Sequence, residues 1–393
     1  MRILQICNKV PFPPKDGGCI AMNNLTIGLR EQGHEVKVLA INTPKHFTDV
    51  AKSDIEAVLI DTSVKVFPAL LNLLSSKSYN VVRFYSKAFE QKLIEILKSN
   101  KFDIVQLESV YVSMYIDVIR KNSNAKIILR AHNVEHQIWE RAAELPANPL
   151  KKWYLKLLSK RLYSYEISLL NKVDAVIPIT ERDANWFKSA GFKKEIKVAP
   201  FGITLQTIIS EKGIEENPAS LFHIGAMDWH PNVEGVNWFL NDVWEKVMAA
   251  NPNTKLFLAG RNMSEEMKSL NKKNVTVVGQ VENAHDFMKS HGIMIVPLLT
   301  GGGMRVKIIE GMALGKTIVT TSIGAEGIEA RNTEEIMIAD TANDFANAIT
   351  ELLVNIENCQ RIGKNAERLA KEKYNNSDIC KQLSNFYSEL KAK

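Results

Sequence analysis

Short apolar runs alternate with amphipathic stretches along most of this chain. Compact apolar runs predict buried strands, and apolar residues that recur every three or four positions predict helices. In the first half, strands are predicted over 3–7, 36–41, 55–63, 102–108, 126–131 and 174–180, and helices over 19–32, 86–100, 111–121 and 149–172. Strands that alternate with helices are typical of βαβ units with a parallel sheet.

The same alternation begins again in the second half. Strands are predicted from 221 and over 255–260, 275–281, 293–298 and 317–320, and helices over 232–250, 283–290, 343–354, 359–373 and 379–390. A turn containing Pro200 and Gly202 closes the first set of elements, and 204–219, with Gly213 and Pro218, is predicted to be a linker. The pattern therefore predicts two α/β domains, over 1–203 and 204–375. The stretch 67–84 has no clear period, and its role stays open.

A run of glycines follows the predicted strand over 293–298. Gly301, Gly302 and Gly303 leave backbone N–H groups uncovered, as a loop requires when it wraps a phosphate. A helix is predicted to open near Met304, so that its positive N-terminal end faces the same loop. These features predict an anion-binding loop.

Charged side chains accompany this loop. Arg305 lies two positions after Gly303, and Lys307 and Glu310 lie three positions apart on the polar side of the predicted helix. An anion cradle, two cations and a carboxylate suit a nucleotide diphosphate, with the carboxylate accepting hydrogen bonds from ribose hydroxyls. The alternative is a glycine turn before an ordinary amphipathic helix.

Three further places are candidate ligand contacts. Gly17 and Gly18 precede the first helix, whose N-terminus can bind a phosphate, and Gly225, after the strand that begins at 221, permits close approach of a nucleotide to the backbone. His132 follows the strand over 126–131, and ligands of doubly wound sheets bind beyond the carboxyl ends of the strands. The alternatives are an ordinary glycine turn and a histidine that caps the next helix. A metal site made of His132, Glu135 and His136 is a weaker alternative, and no metal is predicted.

The stretch 151–172 carries six Lys or Arg residues and one acid, Glu166, with tryptophan and tyrosine between them. Such a helix can bind an anionic membrane surface, or it can simply pack one apolar stripe on the sheet. A basic and aromatic stripe is also found in nucleic-acid-binding proteins, but no nucleic-acid motif is visible and no such partner is predicted.

Composition narrows the class of protein. The 393 residues are 45% hydrophobic and 24% charged, with a net charge of +6, as expected for ordinary globular domains. The four cysteines have no metal-ligand spacing, which favours a reducing compartment. No apolar run is long enough for a signal peptide or a transmembrane helix. We therefore expect a cytoplasmic protein, either free or peripheral on the inner face of the cell membrane.

The stretch from Gly301 to Val319 resembles the donor-site signature of the retaining group-1 glycosyltransferases, glycosyltransferase family four. The resemblance implies the GT-B fold, in which two doubly wound Rossmann-like domains face each other across a cleft that binds a nucleotide sugar. It implies that Glu310 binds the ribose, and that the glycines of the loop, with Met304, contact the donor. It also implies that a C-terminal helix, over about 376–393, packs back on the first domain.

This sequence departs from the family pattern at two places. The family usually carries a second glutamate eight positions before Glu310, where Gly302 stands here, so the amides of Gly302 and Gly303 are the expected substitutes. The family often has an arginine and a lysine after the first strand of the second domain, and 227–233 has neither. Arg305 and Lys307 are then the predicted cations for the diphosphate.

The family resemblance also extends to His132-Asn133, where it implies that the histidine reaches the donor sugar. His132, Arg305 and Lys307 are the predicted catalytic residues, and Gly17, Gly18 and Gly225 are predicted to contact the donor. The implied activity is transfer of a sugar from a nucleoside diphosphate sugar, with retention, to a hydroxyl of a glycan or lipid-linked acceptor in polysaccharide or lipopolysaccharide assembly. No tightly bound cofactor is expected. The alternatives are a nucleotide-sugar epimerase and a non-catalytic nucleotide-sugar-binding scaffold.

Overall fold

The computed structural model describes residues 1–144, 147–208 and 213–393. Contacts within the chain divide it into two units. Unit 1 comprises Met1–Gly202 and Asn376–Lys393, and unit 2 comprises Ile203–Asn375. Each unit contains a parallel sheet with helices, which confirms the predicted α/β class.

Unit 1 is built on strands β1 (Arg2–Cys7), β2 (Glu35–Asn42), β3 (Ile55–Leu59), β4 (Ile104–Glu108), β5 (Lys126–Ala131), β6 (Ala175–Pro178) and β7 (Glu195–Ile196). Among the described residues these form one sheet in the order β3-β2-β1-β4-β5-β6-β7, and every neighbouring pair is parallel. The chain moves outward from β1 to β3 and then returns to β4, so the topological switch point lies between β1 and β4.

The helices of unit 1 cover the two faces of this sheet. They are α1 (Gly17–Glu31), α2 (Val66–Asn72), α3 (Tyr79–Val82), α4 (Lys87–Ser99), α5 (Ile116–Asn122), α6 (Glu135–Glu144), α7 (Pro149–Leu169) and α8 (Glu181–Ser189). One face packs on apolar residues of α4, α5 and α7, and the other packs on α1 and the C-terminal helix. Burial on both faces explains why the central strands are mostly apolar on both sides rather than alternating.

Unit 2 repeats the design with strands β8 (Asn217–Ile224), β9 (Lys255–Ala259), β10 (Val275–Gly279), β11 (His291–Val296), β12 (Thr317–Thr320) and β13 (Met337–Ile338). In the described part of the chain the sheet order is β10-β9-β8-β11-β12-β13, again parallel throughout. Its helices are α9 (Leu205–Ile208), α10 (His230–Trp238), α11 (Trp244–Ala250), α12 (Glu265–Lys268), α13 (Ala284–Lys289), α14 (Val306–Ala313), α15 (Ala342–Val354) and α16 (Ile356–Lys373). The switch point lies between β8 and β11.

Several predicted boundaries are wrong. The strand over 55–63 ends at Leu59, because its partner β2 ends at Asn42. The helix over 232–250 is interrupted by a π-helical turn over Phe239–Val243. Within the predicted linker 204–219, Leu205–Ile208 is helical and β8 already begins at Asn217, while 209–212 lie outside the described residues. The open stretch 67–84 contains α2 and α3, and α6 and α8 were not predicted.

The last helix, α17 (Asn376–Ala392), belongs to unit 1 rather than to the unit that precedes it in sequence. Its buried residues pack with Leu25 and Leu29 of α1 and with Ile3, Ile104 and Ile128 of the sheet. The close approach depends on Gly28, where an added Cβ would lie 2.4 Å from Sγ of Cys380 and 2.6 Å from Nδ2 of Asn376.

We expect Gly28→Val to destabilise unit 1 by roughly 1–3 kcal/mol, because the added methyl groups overpack the contact between α1 and α17. Urea denaturation of the full chain measures the change. Gly213→Val is the control, since a Cβ at Gly213 meets no atom within 4 Å. Equal stability of the two variants would contradict this packing account.

Candidate active site

The glycine loop of unit 2 lies between β11 and α14, at the switch point of the sheet. Gly301 and Gly303 have φ values of +111° and +82°, which residues with a Cβ rarely adopt. Oγ1 of Thr300 donates a hydrogen bond of 2.5 Å to the Glu234 carboxylate of α10. The loop is therefore fixed in a glycine-dependent conformation and is anchored to the first long helix of the unit.

The side chain of Arg305 binds the backbone of this loop. Its backbone is extended, with φ −91° and ψ 95°, so α14 begins at Val306 and not near Met304 as predicted. Nη1 of Arg305 donates to the carbonyl of Gly303 at 2.8 Å and to that of Gly302. The guanidinium carbon lies 5.2 Å from the ring centroid of Trp229, within the range of a cation–π contact. Arg305 is buried and supports the shape of the loop.

Lys307 lies in the first turn of α14 and reaches the end of β8. Its Nζ donates to the carbonyl of Ile224 at 3.1 Å and to Oδ1 of Asn232 at 2.9 Å. Loss of water around the ammonium, and next the positive charge of Arg305, lower the pKa of Lys307 to about 7. Its hydrogen-bond partners are neutral, so an arriving anion would stabilise the charged form of Lys307.

Glu310 lies one turn further along α14, where its Oε1 is 3.3 Å from Nε2 of His285. His285 belongs to α13, whose N-cap Asn283 accepts hydrogen bonds from the amides of His285 and Asp286. A histidine beside a carboxylate restrains its position and can share a ligand hydroxyl with it. The geometry leaves Glu310 partly exposed, as a residue that binds ribose must be.

Gly225 is required by contacts inside the protein. A Cβ at this position would lie 2.7 Å from Nδ2 of Asn232 and 3.0 Å from Nζ of Lys307. The sequence predicted close approach of a nucleotide at Gly225, and the structure places Asn232 and Lys307 there. Met304 is buried. Donor contact at both residues stays a prediction.

In unit 1, His132 directly follows β5 and lies beside the buried carboxylate at the end of β4. Its Nε2 is 2.8 Å from Oε2 of Glu108, and Nε of Arg130 is 3.8 Å from the same oxygen. Burial raises the pKa of Glu108, but the hydrogen bond and attraction of His132 outweigh it, helped by Arg130 and Gln106, so the pKa lies below its ordinary value. An ionised Glu108 favours the tautomer with the proton on Nε2 and makes Nδ1 the basic nitrogen of His132.

A buried chain of polar side chains supports this pair. Glu108 accepts hydrogen bonds from Nε2 of Gln5, at 2.8 Å, and from Nε2 of Gln106. Tyr387 of α17 donates its hydroxyl to Gln106, and Thr26 of α1 donates to Gln5. Groups from three strands and both flanking helices therefore hold one carboxylate in place.

The residues of the alternative metal site contact other side chains of the protein, and two of them lie beside a second buried carboxylate, that of Glu166. Glu166 of α7 accepts from the backbone amides of Glu135, at 2.9 Å, and His136, at 3.1 Å, and contacts Nδ1 of His136 at 2.7 Å. Tyr111 donates to Glu135 at 2.7 Å. His132, Glu135 and His136 thus turn to three different partners. Among the described residues, no group of three or more His, Cys, Asp or Glu side chains is placed to hold a metal ion.

Burial first, and then the negative charges of Glu166 and Asp183, raise the pKa of Glu135 to about 7, against the hydrogen bonds from Tyr111 and Asn133. Glu166 also satisfies the N-terminus of α6. The sequence offered His132 as a cap for the helix that follows it. In the structure, Glu166 of α7 caps that helix, α6.

Gly17 and Gly18 form the first turn of α1, but a carboxylate of the protein already lies there. Asp16 accepts a hydrogen bond of 2.9 Å from the amide of Cys19, and Nζ of Lys9 lies 2.6 Å from Asp16. A Cβ on Gly18 would lie 3.0 Å from Nζ of Lys9. Ligand contact at the two glycines stays a prediction, and any phosphate there must share the helix end with Asp16.

Two family models match this chain, one in each unit. The model for Glycosyltransferase Family 4 matches residues 17–207, and the model for Glycosyl transferases group 1 matches residues 218–355. The chain is a glycosyltransferase. The second match includes the glycine loop, Arg305, Lys307 and Glu310, and the first includes His132 and Glu108.

The chain is also similar to other proteins over its whole length. The transferase is 23% identical to an uncharacterized 44.6 kDa protein in the cps region of Klebsiella pneumoniae, over 97% of this chain and 98% of the relative. Its structure is similar to sucrose-phosphate synthase of Thermosynechococcus elongatus, with a TM-score of 0.73, 16% identity and 100% of each chain covered. It is also similar to Alr3699/HepE of Anabaena in complex with UDP and glucose, with a TM-score of 0.68, 12% identity and coverage of 99% and 100%. This likeness confirms the predicted GT-B fold.

Several residues of the candidate sites were missed by sequence reasoning. Trp229, Asn232 and Glu234 of the transferase lie where the family often has its cation pair, and each holds part of the glycine loop or its cation. Glu108 had a signal that was not used, because polar residues occur within three neighbouring central strands, at Gln5, Gln106 and Arg130. His285 had no signal, since its contact with Glu310 spans 25 residues.

We expect Lys307 to make the transferase more stable as the pH rises from about 7 to 10.5. The unfolded chain keeps this proton up to a pKa near 10.5, whereas the folded chain releases it near 7, so the unfolded state binds more protons in that window. The free energy of unfolding of wild type minus that of Lys307→Met should rise by up to about 1.4 kcal/mol per pH unit.

Urea denaturation at several pH values measures this slope, and Lys77→Met, at an exposed position, is the control. Parallel curves for wild type and Lys307→Met would mean that Lys307 titrates like an exposed lysine.

Proposed function

We propose that this glycosyltransferase moves a sugar from a nucleoside diphosphate sugar to a hydroxyl of a glycan or glycolipid acceptor, with retention of anomeric configuration. The single observation that carries the donor assignment is the position of Lys307, a desolvated cation with neutral partners beside the glycine loop. A diphosphate is the anion that such a loop, helix end and ammonium would bind together.

The same group supplies a way to stabilise the leaving diphosphate. Negative charge grows on the departing phosphate as the bond to the sugar breaks, and a positioned ammonium with the N-terminal amides of α14 stabilises that charge without reorganisation. Arg305 acts by holding the loop carbonyls, and its positive charge adds to the field. Glu310, restrained by His285, accepts hydrogen bonds from the ribose hydroxyls of the donor.

His132 is proposed to contact the sugar. With Nε2 held by Glu108, its Nδ1 can accept a hydrogen bond from a hydroxyl, or the protonated ring can donate one. Because Glu108 is fixed by Gln5 and Gln106, the imidazole is oriented before a ligand arrives. Such orientation is what a group that acts on a reacting sugar requires.

The relatives suggest a donor and a setting for the proposed reaction. UDP and glucose are bound in the Alr3699/HepE structure, so UDP-sugars are the first donors to test. The Klebsiella pneumoniae relative is named for the cps region, which supports a role in assembly of a cell-surface polysaccharide. The matched family models are models of transferases and disfavour an epimerase.

We expect UDP or another nucleoside diphosphate to raise the melting temperature of the transferase. A ligand at one hundred times its Kd stabilises a protein by roughly 2.7 kcal/mol. Lys307→Met should weaken diphosphate binding by roughly 10- to 100-fold, as expected for loss of a charged hydrogen bond. Glu310→Ala should weaken nucleosides and nucleotides alike, whereas Lys307→Met should affect only those that carry phosphates.

Calorimetry at pH 8 in buffers of different ionisation heat gives a second readout. Binding should take up protons in wild type, because the anion raises the pKa of Lys307, and this uptake should be lost in Lys307→Met. Binding without transfer to any acceptor would favour the scaffold alternative. An absence of shift with every nucleotide would contradict the proposed donor site.

We expect His132→Ala and Glu108→Gln to reduce kcat by roughly 10²- to 10⁴-fold while the affinity for UDP, which lacks the sugar, stays unchanged, as is typical for loss of a positioned acid or base group. Glu108→Gln keeps a hydrogen-bond acceptor for His132 but removes the charge, so a smaller effect than that of His132→Ala is expected. Steady-state kinetics and the thermal shift with UDP separate the two quantities. Full activity of His132→Ala would remove His132 from the site.

A further inference from the structure

A second surface of unit 1 has no role in the proposed transfer. Between β3 and α4, the chain exposes a run of large apolar side chains on α2 and beside it, which we name the α2 surface. Val66, Phe67 and Leu74 are 75%, 71% and 89% exposed, and Val64, Leu70 and Leu71 are more than half exposed. Isolated apolar residues at a surface are common, but six within eleven positions form a patch of the kind that contacts a membrane or a partner.

The body of unit 1 holds α2 with its apolar side outward. The Tyr79 hydroxyl contacts the backbone of Lys65 at 3.1 Å and 3.2 Å, and so fixes the start of the helix. Arg161 of α7 donates to the carbonyls of Asn72, at 2.9 Å, and Leu73, at 3.1 Å, and so fixes its end. Ala69 alone of this helix is buried, in a cluster with Leu158 and Tyr79. The apolar side chains are therefore presented to the outside by specific contacts.

Basic side chains accompany this patch. The stretch 64–84 contains Lys65, Lys77 and Arg83 and no acidic residue, but Asp61 lies 2.9 Å from Nζ of Lys65 and the guanidinium of Arg83 donates to a backbone carbonyl, so Lys77 is the basic residue of this stretch that can serve a ligand. Lys151 and Lys160 are exposed on α7, the helix on which α2 packs, and so are Leu150 and Trp153 near its N-terminus. Lys152 and Lys156 are partly offset by Glu144, which lies 2.6 Å and 2.9 Å from them. Apolar side chains with basic residues around them match the interface of an anionic bilayer. The lipid tails can take up the apolar side chains, and the anionic headgroups neutralise the basic residues.

We propose that the α2 surface binds the headgroup region of an anionic lipid bilayer, with Phe67, Leu70 and Leu74 entering the apolar boundary and Lys77, Lys151 and Lys160 contacting lipid phosphates. A second copy of the chain is a poorer match, because a symmetric contact would bring the same basic rim against itself. Among the described residues no helix is long and apolar enough to cross a membrane.

The sequence pointed to 151–172 as the membrane-binding stretch, whereas the structure gives the apolar part of the contact to α2. Within α7, Leu158, Leu162, Glu166 and Leu169 are buried in unit 1. That helix contributes charge, and α2 contributes the side chains that can enter the bilayer. The inference does not depend on the donor site of unit 2.

Vesicle flotation of the full chain tests the proposal. Vesicles of phosphatidylcholine mixed with phosphatidylglycerol should bind the protein, vesicles of phosphatidylcholine alone should bind it much less, and salt should weaken the binding. The double variant Phe67→Asp with Leu74→Asp should lower partitioning roughly tenfold or more, since two large apolar side chains lose their burial. Lys77→Glu with Lys151→Glu should weaken binding only to the anionic vesicles.

The matched control is Val354→Asp with Ile356→Asp in unit 2, where the two side chains are 75% and 56% exposed. This control should bind like wild type, and thermal unfolding and UDP binding of all variants check that each is folded. Absence of binding to anionic vesicles, or equal loss in both aspartate variants, would overturn the proposal. A dimer in sedimentation velocity that dissociates in the α2 variant, without vesicle binding by wild type, would assign the surface to a second copy instead.

Discussion

The carboxyl ends of parallel strands meet along one edge of a sheet, and both candidate sites of this glycosyltransferase follow from that constraint. In unit 1 it brings Glu108 and His132 together from neighbouring strands, although they lie 24 residues apart. In unit 2 it brings the end of β8 beside the loop after β11, so that Lys307 reaches Ile224 across 83 residues. Each site lies beside the switch point, where outward and return connections leave space above the sheet.

The two sites stabilise charge in different ways. Glu108 is buried among donors that come from three strands, so its negative charge is compensated by the protein and its function is to orient His132. Among the described residues, Lys307 donates to neutral oxygens, and its ammonium is correspondingly easy to deprotonate. The negative charge of Glu108 is balanced within the protein and can support another residue. The positive charge of Lys307 is poorly balanced within the protein and can bind a ligand of opposite charge.

The start of α10 departs from the family pattern that the sequence resembles. Where that pattern often has an arginine and a lysine, this chain has Trp229, just before α10, and Asn232 and Glu234 within it, and these contact Arg305, Lys307 and Thr300. This part of the chain therefore supports the glycine loop and the two cations beside it. Gly225 has to be glycine because this support lies against it, and Gly260 has to be glycine because a Cβ there would lie 1.9 Å from the carbonyl of Gly225.

The sequence by itself determined the α/β class, the two repeats, most strands and the position of the glycine loop, because periodicity and glycine clusters depend on neighbours in the chain. It also indicated Lys307, Glu310 and His132, whose motifs are local.

Only the tertiary structure decided what these residues touch. The partners Glu108, Asn232 and His285 come from other elements, so no local pattern reveals them. The start of α14 at Val306 and the outward face of α2 could not be predicted from the neighbouring residues in the chain either. The side-chain contacts of Arg305 and Arg161 decide them. Local sequence fixes which element forms, and contacts across the fold fix where it begins, what it faces and how its charges are held.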